Sequence, residues 1–252
     1  NLSIRGGSEK LSSFLSLNYL KQEGIITNTD AERFGMRANL EYKVNSWLKV
    51  GARLNYIRRN SQEPFDLSRV FFIQSGAAPF IAPYTRDGRF GSVEAIAQDG
   101  TLLYDNRNPL IDASNGATKT TLDYMSLNAF ATVDFTKDLN LQVTWASNGN
   151  WKMVDKYNET LYGYTDSGIE TMTINYNRDG LEMSREQIST MRNNFHATLN
   201  YSKKFVEKHS VAGILGAQLE NYNIGVEIKQ TALISAPIFF IEEGVPFHET
   251  GL

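Results

Sequence analysis

Glu32–Arg59, ERFGMRANLEYKVNSWLKVGARLNYIRR, decides the fold. Read at period two, Phe34, Met36, Ala38, Leu40, Tyr42 and Val44 fall on one face, and Arg33, Arg37, Asn39, Glu41 and Lys43 on the other. Such alternation is that of a β-strand apolar on one side only. After a tight turn at Val44–Trp47 the pattern resumes with Leu48, Val50, Ala52, Leu54 and Tyr56 against Lys49, Arg53, Asn55 and Arg59, which makes an antiparallel hairpin. Each strand is about 12 residues long, more than the roughly 5 to 6 of a soluble sheet. It is enough for the 9 to 11 or so tilted residues that cross a bilayer.

Working outward, Leu2 and Ile4 alternate with polar neighbours before a turn at Gly6–Lys10, and Leu15, Leu17 and Tyr19 form a second strand. Periodicity stops from Asn60 to Thr118, a stretch too long for a plain connection and therefore of functional interest. Within it Leu67, Val70, Phe71 and Gln74 have helical spacing ahead of Gly76. Alternation returns through Met125–Phe135, with Phe130 the one misfit, and through Leu139–Trp145 after a turn at Thr136–Asp138. Residues 148–186 form a second long excursion, with turns at Asp166–Gly168 and Asn177–Gly180. Met191–Tyr201 and Val211–Leu219 complete eight strands, and the pattern ends near Asn223.

Connections alternate in length. Gly6–Lys10, Val44–Trp47, Thr136–Asp138 and Lys203–His209 are short, whereas Lys21–Ala31, 60–118, 148–186 and the C-terminal stretch are longer. An outer-membrane barrel sorts its loops in this way, short on the periplasmic side and long outside. Tyr42, Phe135 and Tyr201 beside the short turns, and Tyr19, Phe34, Tyr56 and Trp145 toward the long loops, make two aromatic belts around an uncharged band. A soluble all-β protein with one wet face also alternates, but it has no reason to sort loops and aromatics together.

Composition agrees. A formal charge of −3 gives no reason to expect nucleic acid as a partner, and the absence of cysteine removes thiolate metal sites. Mean hydropathy is −0.35, which excludes a helical membrane protein but not a barrel with a polar lumen. With no secretory signal at Asn1 and no natural close at Leu252, the chain is read as part of a longer one. His196, His209 and His248 lie far apart, so no metal or cofactor is expected. Glu242–Glu243 and Asp87 with Arg86 and Arg89 are ordinary loop charges, and no nucleophile, phosphate or dinucleotide motif occurs, so the chain is not expected to be an enzyme.

Gly6–Lys10 followed by Phe14–Ile26 resembles the early barrel strands of SusC/RagA-type TonB-dependent transporters of Bacteroidetes. Arg33–Asn39 and Val44–Gly51 continue the match, and Pro83–Gly88 with Asn108-Pro109-Leu110 resembles that family's first large extracellular loop, so the likeness covers residues 1–115. The resemblance implies a 22-stranded outer-membrane barrel, an N-terminal plug and TonB box absent from this chain, and a SusD-like surface lipoprotein as lid. It also implies import of oligosaccharides or peptides. Residues 1–252 are then about eight strands of the wall, all-β and antiparallel, with 60–118 and 148–186 as large extracellular loops.

Two sets of residues are candidates for function. In the first loop, Phe80, Tyr84, Phe90 and Tyr104 interleave with Arg86, Arg89, Asn106 and Asn108, a mixture suited to stacking on sugars or holding a peptide, or to packing the loop itself or the lid. On the polar face, Arg37, Asn39, Glu41, Arg53, Asn55, Asn128, Gln142, Arg192 and Asn194 line the lumen, where they serve either the solute path or the plug. The competing functional readings are a non-transporting scaffold or adhesin acting through its loops, and a small outer-membrane hydrolase.

Overall fold

The computed structural model describes the chain except Ala78, Ala97, Asn106 and residues 173–180, 206–208 and 234–252. The strands are β1 (Leu2–Gly7), β2 (Leu11–Glu23), β3 (Asp30–Lys43) and β4 (Leu48–Glu63), followed by helix α1 (Leu67–Gly76) and the short β5 (Val93–Ile96) and β6 (Leu102–Asp105). Helix α2 (Pro109–Ser114) precedes β7 (Ala117–Thr136) and β8 (Leu139–Tyr157), then β9 (Tyr162–Tyr164), β10 (Glu170–Met172), β11 (Leu181–Phe205) and β12 (His209–Leu233). Eight strands form one antiparallel sheet in the order β1-β2-β3-β4-β7-β8-β11-β12, each beside its neighbour in the sequence. β5–β6 and β9–β10 are separate two-stranded pairs within the excursions.

Side chains at directly paired positions share a face. Register pairs Arg37 with Asn55, Asn39 with Arg53, Arg53 with Asn128, and Asn128 with Ala146, which in turn faces Asn194. Thr132 opposite Gln142 and Asn148 opposite Arg192 extend the same face. The nine polar residues singled out on sequence therefore stand on one side of the sheet. The opposite side carries Leu15, Leu40, Leu54, Leu127, Val143, Leu199 and Leu215 in continuous rows.

Nothing in the described chain covers that apolar side. Leu40, Trp145, Phe195 and Leu215 are exposed, and Leu219 on the edge strand is 73% exposed. Among the described residues the buried apolar side chains are Phe65, Val70, Ile73, Ile111, Ala113 and Ala117, all at the long-connection end, where α1 packs on α2. A sheet in water must bury its apolar face against a second layer. A bilayer supplies that layer from outside the protein.

The misfit Phe130 has a local cause. On the polar face it lies across Gly51, where a Cβ would sit 2.4 Å from the ring, and Arg53 stacks on the same ring at 4.9 Å. Glycine at position 51 is the space into which the aromatic folds.

Structure and sequence differ over strand length. β7 has 20 residues, β8 has 19, and β11 and β12 have 25 each, so the second excursion leaves the main sheet only between Tyr157 and Leu181, not over 148–186, and β12 runs past Asn223. Alternation of hydropathy requires a different medium on each face. Beyond the apolar band the outer face turns polar, with Tyr56 and Arg58 bonded to Asp123 and Arg185 to Asp155, so the ladder continues while its sequence signal fades. On upper β12 the pattern inverts: Ile224, Val226 and Ile228 share the face of Arg192, while Asn223, Glu227 and Lys229 lie outside. The helix expected near Leu67 is α1; α2 and the β5–β6 pair carried no periodic signal. The turn at Asn177–Gly180, Glu242–Glu243, His248 and part of the Lys203–His209 connection lie outside the described residues.

Arginine at Val143, on the apolar face, should cost about 2–4 kcal/mol in a bilayer, whereas arginine at the adjacent Thr144, on the polar face, should be tolerated. Heat-modifiable migration of the full-length protein from outer membranes checks this: Val143→Arg should lose the folded band and Thr144→Arg should retain it.

Candidate functional site

At the long-connection end the excursions are folded. Asp66 caps α1 by accepting from the Arg69 amide at 3.0 Å, and the Arg69 guanidinium donates to Asp112 of α2 at 2.7 Å. Burial raises the Asp112 pKa, and the Arg69 charge opposes that shift. Asn28, in the connection between β2 and β3, adopts φ of 64° and donates to the Gly116 carbonyl at 2.9 Å, tying this turn to the foot of β7.

The loop site is built on a five-residue turn, Thr85–Arg89, between bridged Tyr84 and Phe90. The Thr85 amide donates to the Arg89 carbonyl at 2.8 Å, the Arg89 amide donates to Thr85 Oγ1 at 3.1 Å, and Gly88 takes φ of 83°. Tyr84 and Phe90 stack with centroids 5.8 Å apart. Asp87 accepts from Arg89 Nε at 2.7 Å and from the Thr85 hydroxyl. The Arg89 guanidinium, then Thr85, holds the Asp87 carboxyl at about 2, well below the usual carboxylate range.

The second excursion repeats this design at Thr165–Ile169, where the Ile169 amide donates to Thr165 Oγ1 at 3.0 Å and Gly168 takes φ of 84°. The two excursions are joined. The Tyr164 amide donates to the Phe90 carbonyl at 2.7 Å, the Ser92 amide to the Tyr164 carbonyl at 2.8 Å, and the hydroxyls of Ser92 and Thr171 meet at 2.8 Å in a buried position. Arg89 lies 4.0 Å from the centroid of the Tyr164 ring, whose hydroxyl donates to Glu170 at 3.0 Å. That bond raises the Tyr164 pKa.

Of the loop residues singled out on sequence, Phe80 is 69% and Tyr84 53% exposed, and Arg86 is also exposed. Tyr84, Arg86 and Arg89 are brought together by one turn; Arg89 is engaged by Asp87 and Tyr164. Asn108 stands apart from an exposed contact surface. It is 1% exposed, donates to the Pro83 and Gly91 carbonyls at 2.9 and 3.0 Å, and accepts from the Leu110 amide at 3.1 Å as the cap of α2. Its amide is therefore committed to the loop's own framework. Tyr104 belongs to β6, and its side chain, like Asn106, lies outside the described residues. Tyr164, Ser92 and Thr171, which fasten one excursion to the other, were not singled out; the shared Thr-x-x-Gly turn is the signal that points to them. On the polar face His196 Nε2 meets Thr198 Oγ1 at 3.0 Å.

Asn108→Ala should weaken the first excursion by on the order of 2 kcal/mol, since two carbonyls and a cap lose their partner, while Phe80→Ala should be neutral. Limited proteolysis should then cut within 60–118 in Asn108→Ala and leave the strands intact. The Asp87 contribution is complete above about pH 4, its ordinary value, and is lost as pH falls toward 2. Amide exchange at Gly88 and Arg89 should accelerate over that window, and Asp87→Asn should abolish the pH dependence.

No family model matches the chain. It is similar to TonB-dependent receptor P39 of Formosa agariphila, 22% identical over 231 residues that cover 88% of this chain and 19% of that protein. TonB-dependent receptor P26 of the same organism is 43% identical over 56 residues, 22% of this chain and 6% of the relative. The chain thus spans a fifth or less of the length of these relatives. Among solved structures it is similar to the RagAB peptide importer, with a TM-score of 0.65 and 18% identity in the open-open state and 0.64 and 17% in the closed-closed state. These matches cover 99% and 97% of this chain, and 27% and 26% of the matched chains. TonB-dependent receptors are outer-membrane proteins of Gram-negative bacteria and are not enzymes. The described sheet matches part of that importer's barrel wall in fold, and over most of its length the chain is similar in sequence to TonB-dependent receptors: it is a portion of a TonB-dependent receptor barrel.

Proposed function

We infer that this chain forms part of the wall and outer mouth of an importer that takes oligomeric nutrients, oligosaccharides or peptides, across the outer membrane. The observation that carries this reading is the division of labour along the strands. Short turns close one end, and at the other two excursions fasten to each other through Tyr164, Phe90, Ser92 and Thr171. In this reading 60–118 and 148–186 are extracellular, the second leaving the wall at Asn158. Exposed Phe80, Tyr84 and Arg86, with Arg89 behind them, meet either substrate or lid. The face bearing Arg37, Asn39, Glu41, Arg53, Asn55, Asn128, Gln142, Arg192 and Asn194 lines the lumen.

The lid is a SusD-like surface lipoprotein, and TonB drives passage by acting on a segment outside these 252 residues. Support comes from the fold shared with the RagAB importer, a complex described in closed-closed and open-open states. An apolar platform beside guanidinium groups suits a sugar ring or a peptide equally.

Affinity purification of the full-length receptor from native outer membranes, followed by mass spectrometry, should recover a SusD-like lipoprotein in near-stoichiometric amount. Deletion of residues 79–92 should reduce that recovery or the uptake of oligomeric nutrient. A receptor recovered alone, with uptake unaffected by its loss, would establish the scaffold reading instead.

A further inference from the structure

The polar face of the β3–β4 hairpin carries an uncompensated group of arginines. Arg33 and Arg59 are direct cross-strand partners, and on the same face Arg37 follows two rows nearer the turn and Arg53 three rows nearer. Opposed strand residues have Cα atoms roughly 5 Å apart, so Arg33 and Arg59 are like charges side by side, an arrangement that destabilises a sheet. All four side chains are exposed. Across these rows the flanking strands offer Ser16 and Asn18 from β2 and Tyr124, Ser126 and Asn128 from β7, and no carboxylate. The nearest acids on this face are Glu41, one row below Arg53 and engaged by Lys49 at 3.4 Å, and Glu63, two rows above Arg59.

The outer rim of the sheet pairs charges. Lys21 meets Glu32, Arg58 meets Asp123 and Arg185 meets Asp155, all on the outer face. The inner four have no such partner among the described residues; Arg53 rests on the Phe130 ring, which leaves its N–H edge free to donate. Arg33 and Arg37 are separated by about 13 Å along the strand, a spacing that meets several groups of one extended ligand. The basic face continues in register through Leu122 to Lys152, and Arg86 stands exposed in the first excursion. A wall of one sign concentrates the opposite sign.

We propose that Arg33, Arg37, Arg53 and Arg59 form an anion-binding track on the inner wall and that the imported oligomers carry fixed negative groups, carboxylate or sulfate. This rests on the lumen assignment above and narrows its substrate class. The carboxylates of an acidic peptide and the sulfates of an acidic glycan present the same bidentate acceptor geometry to a guanidinium.

The test is equilibrium binding to the purified full-length receptor of three fluorescent probes: hexaglutamate, a sulfated dextran oligomer and the same oligomer unsulfated. At least one anionic probe should bind about tenfold or more tightly than the neutral one, and a tenfold rise in salt should erode the difference. Which anionic probe binds identifies the source of the charge. Arg33→Gln/Arg59→Gln should lower that affinity about tenfold, and Arg33→Lys/Arg59→Lys should restore only part of it, since an ammonium keeps the charge without the bidentate geometry. Equal binding of the neutral probe, or anion binding untouched by the glutamine pair, overturns the proposal. So does a lowered melting temperature in the glutamine pair with unchanged anion binding, which would mean that the arginines grip an acidic part of the receptor itself. A receptor that keeps its lipoprotein and imports neutral oligomers alone would retain the proposed function while losing this inference.

Discussion

An apolar sheet face that no part of the described chain covers is the constraint from which the other features follow. In a medium that cannot hydrogen-bond, every backbone amide of a spanning segment needs a partner within the protein. A strand finds that partner only in its neighbour, and here each of the eight strands pairs with the next along the chain without a crossover. The turns at one end are secured to the following strand: the Lys43 amide donates to Lys10, Asp134 to Trp47 and Ser202 to Asp138, each at 2.8 Å. Such edges leave few free donors where the ladder meets lipid and headgroup.

Above the apolar band the medium changes and so does the chemistry. Outer-face charges appear as pairs, two of them with an aromatic hydroxyl beside them: Tyr56 donates to Asp123, which Arg58 also meets, and the Tyr19 hydroxyl donates to Glu32 at 3.1 Å while Lys21 approaches the same carboxylate at 3.7 Å. The polar face follows a different rule. There Glu41 and Glu220 are matched by Lys49 and Arg192, but among the described residues the β3–β4 arginines Arg33, Arg37, Arg53 and Arg59 have no such match. An uncharged lipid face, a paired rim and an inner face that holds a group of unmatched arginines are three electrostatic designs on one sheet, each suited to what it would touch. The joined excursions at the mouth add exposed aromatics held by a rigid hydrogen-bonded frame.

The extent to which sequence disclosed this depended on the medium at each position. Between bilayer and lumen, Leu40 and Asn39 sit in different solvents, so period two is written into the residues and the hairpin, its face and its register were all legible. At Asp155 or Arg185 both faces meet water, and nothing in the residue types requires a strand that the backbone nevertheless continues. Helix α1 could be read from Leu67, Val70 and Phe71, whereas six-residue α2 is set by Asn108 and Pro109, a pair that serves turns as readily. Asn108 looked like a ligand contact because exposed and buried asparagines are the same letter; its burial is decided by Pro83 and Gly91, distant in sequence. The contact between excursions was hidden for the same reason, since Tyr164 and Phe90 meet through their backbones.

The absence of cysteine permits a direct test of the central claim, that one face of this sheet meets lipid and the other water. Single cysteines from Leu141 to Ala146, placed in the full-length receptor freed of any other cysteine and spin-labelled in liposomes, would be read for collision with oxygen and with a water-soluble nickel chelate. Oxygen accessibility should peak at positions 141, 143 and 145 and nickel accessibility at 142, 144 and 146. A profile without period two, or with the two series interchanged, would contradict the account.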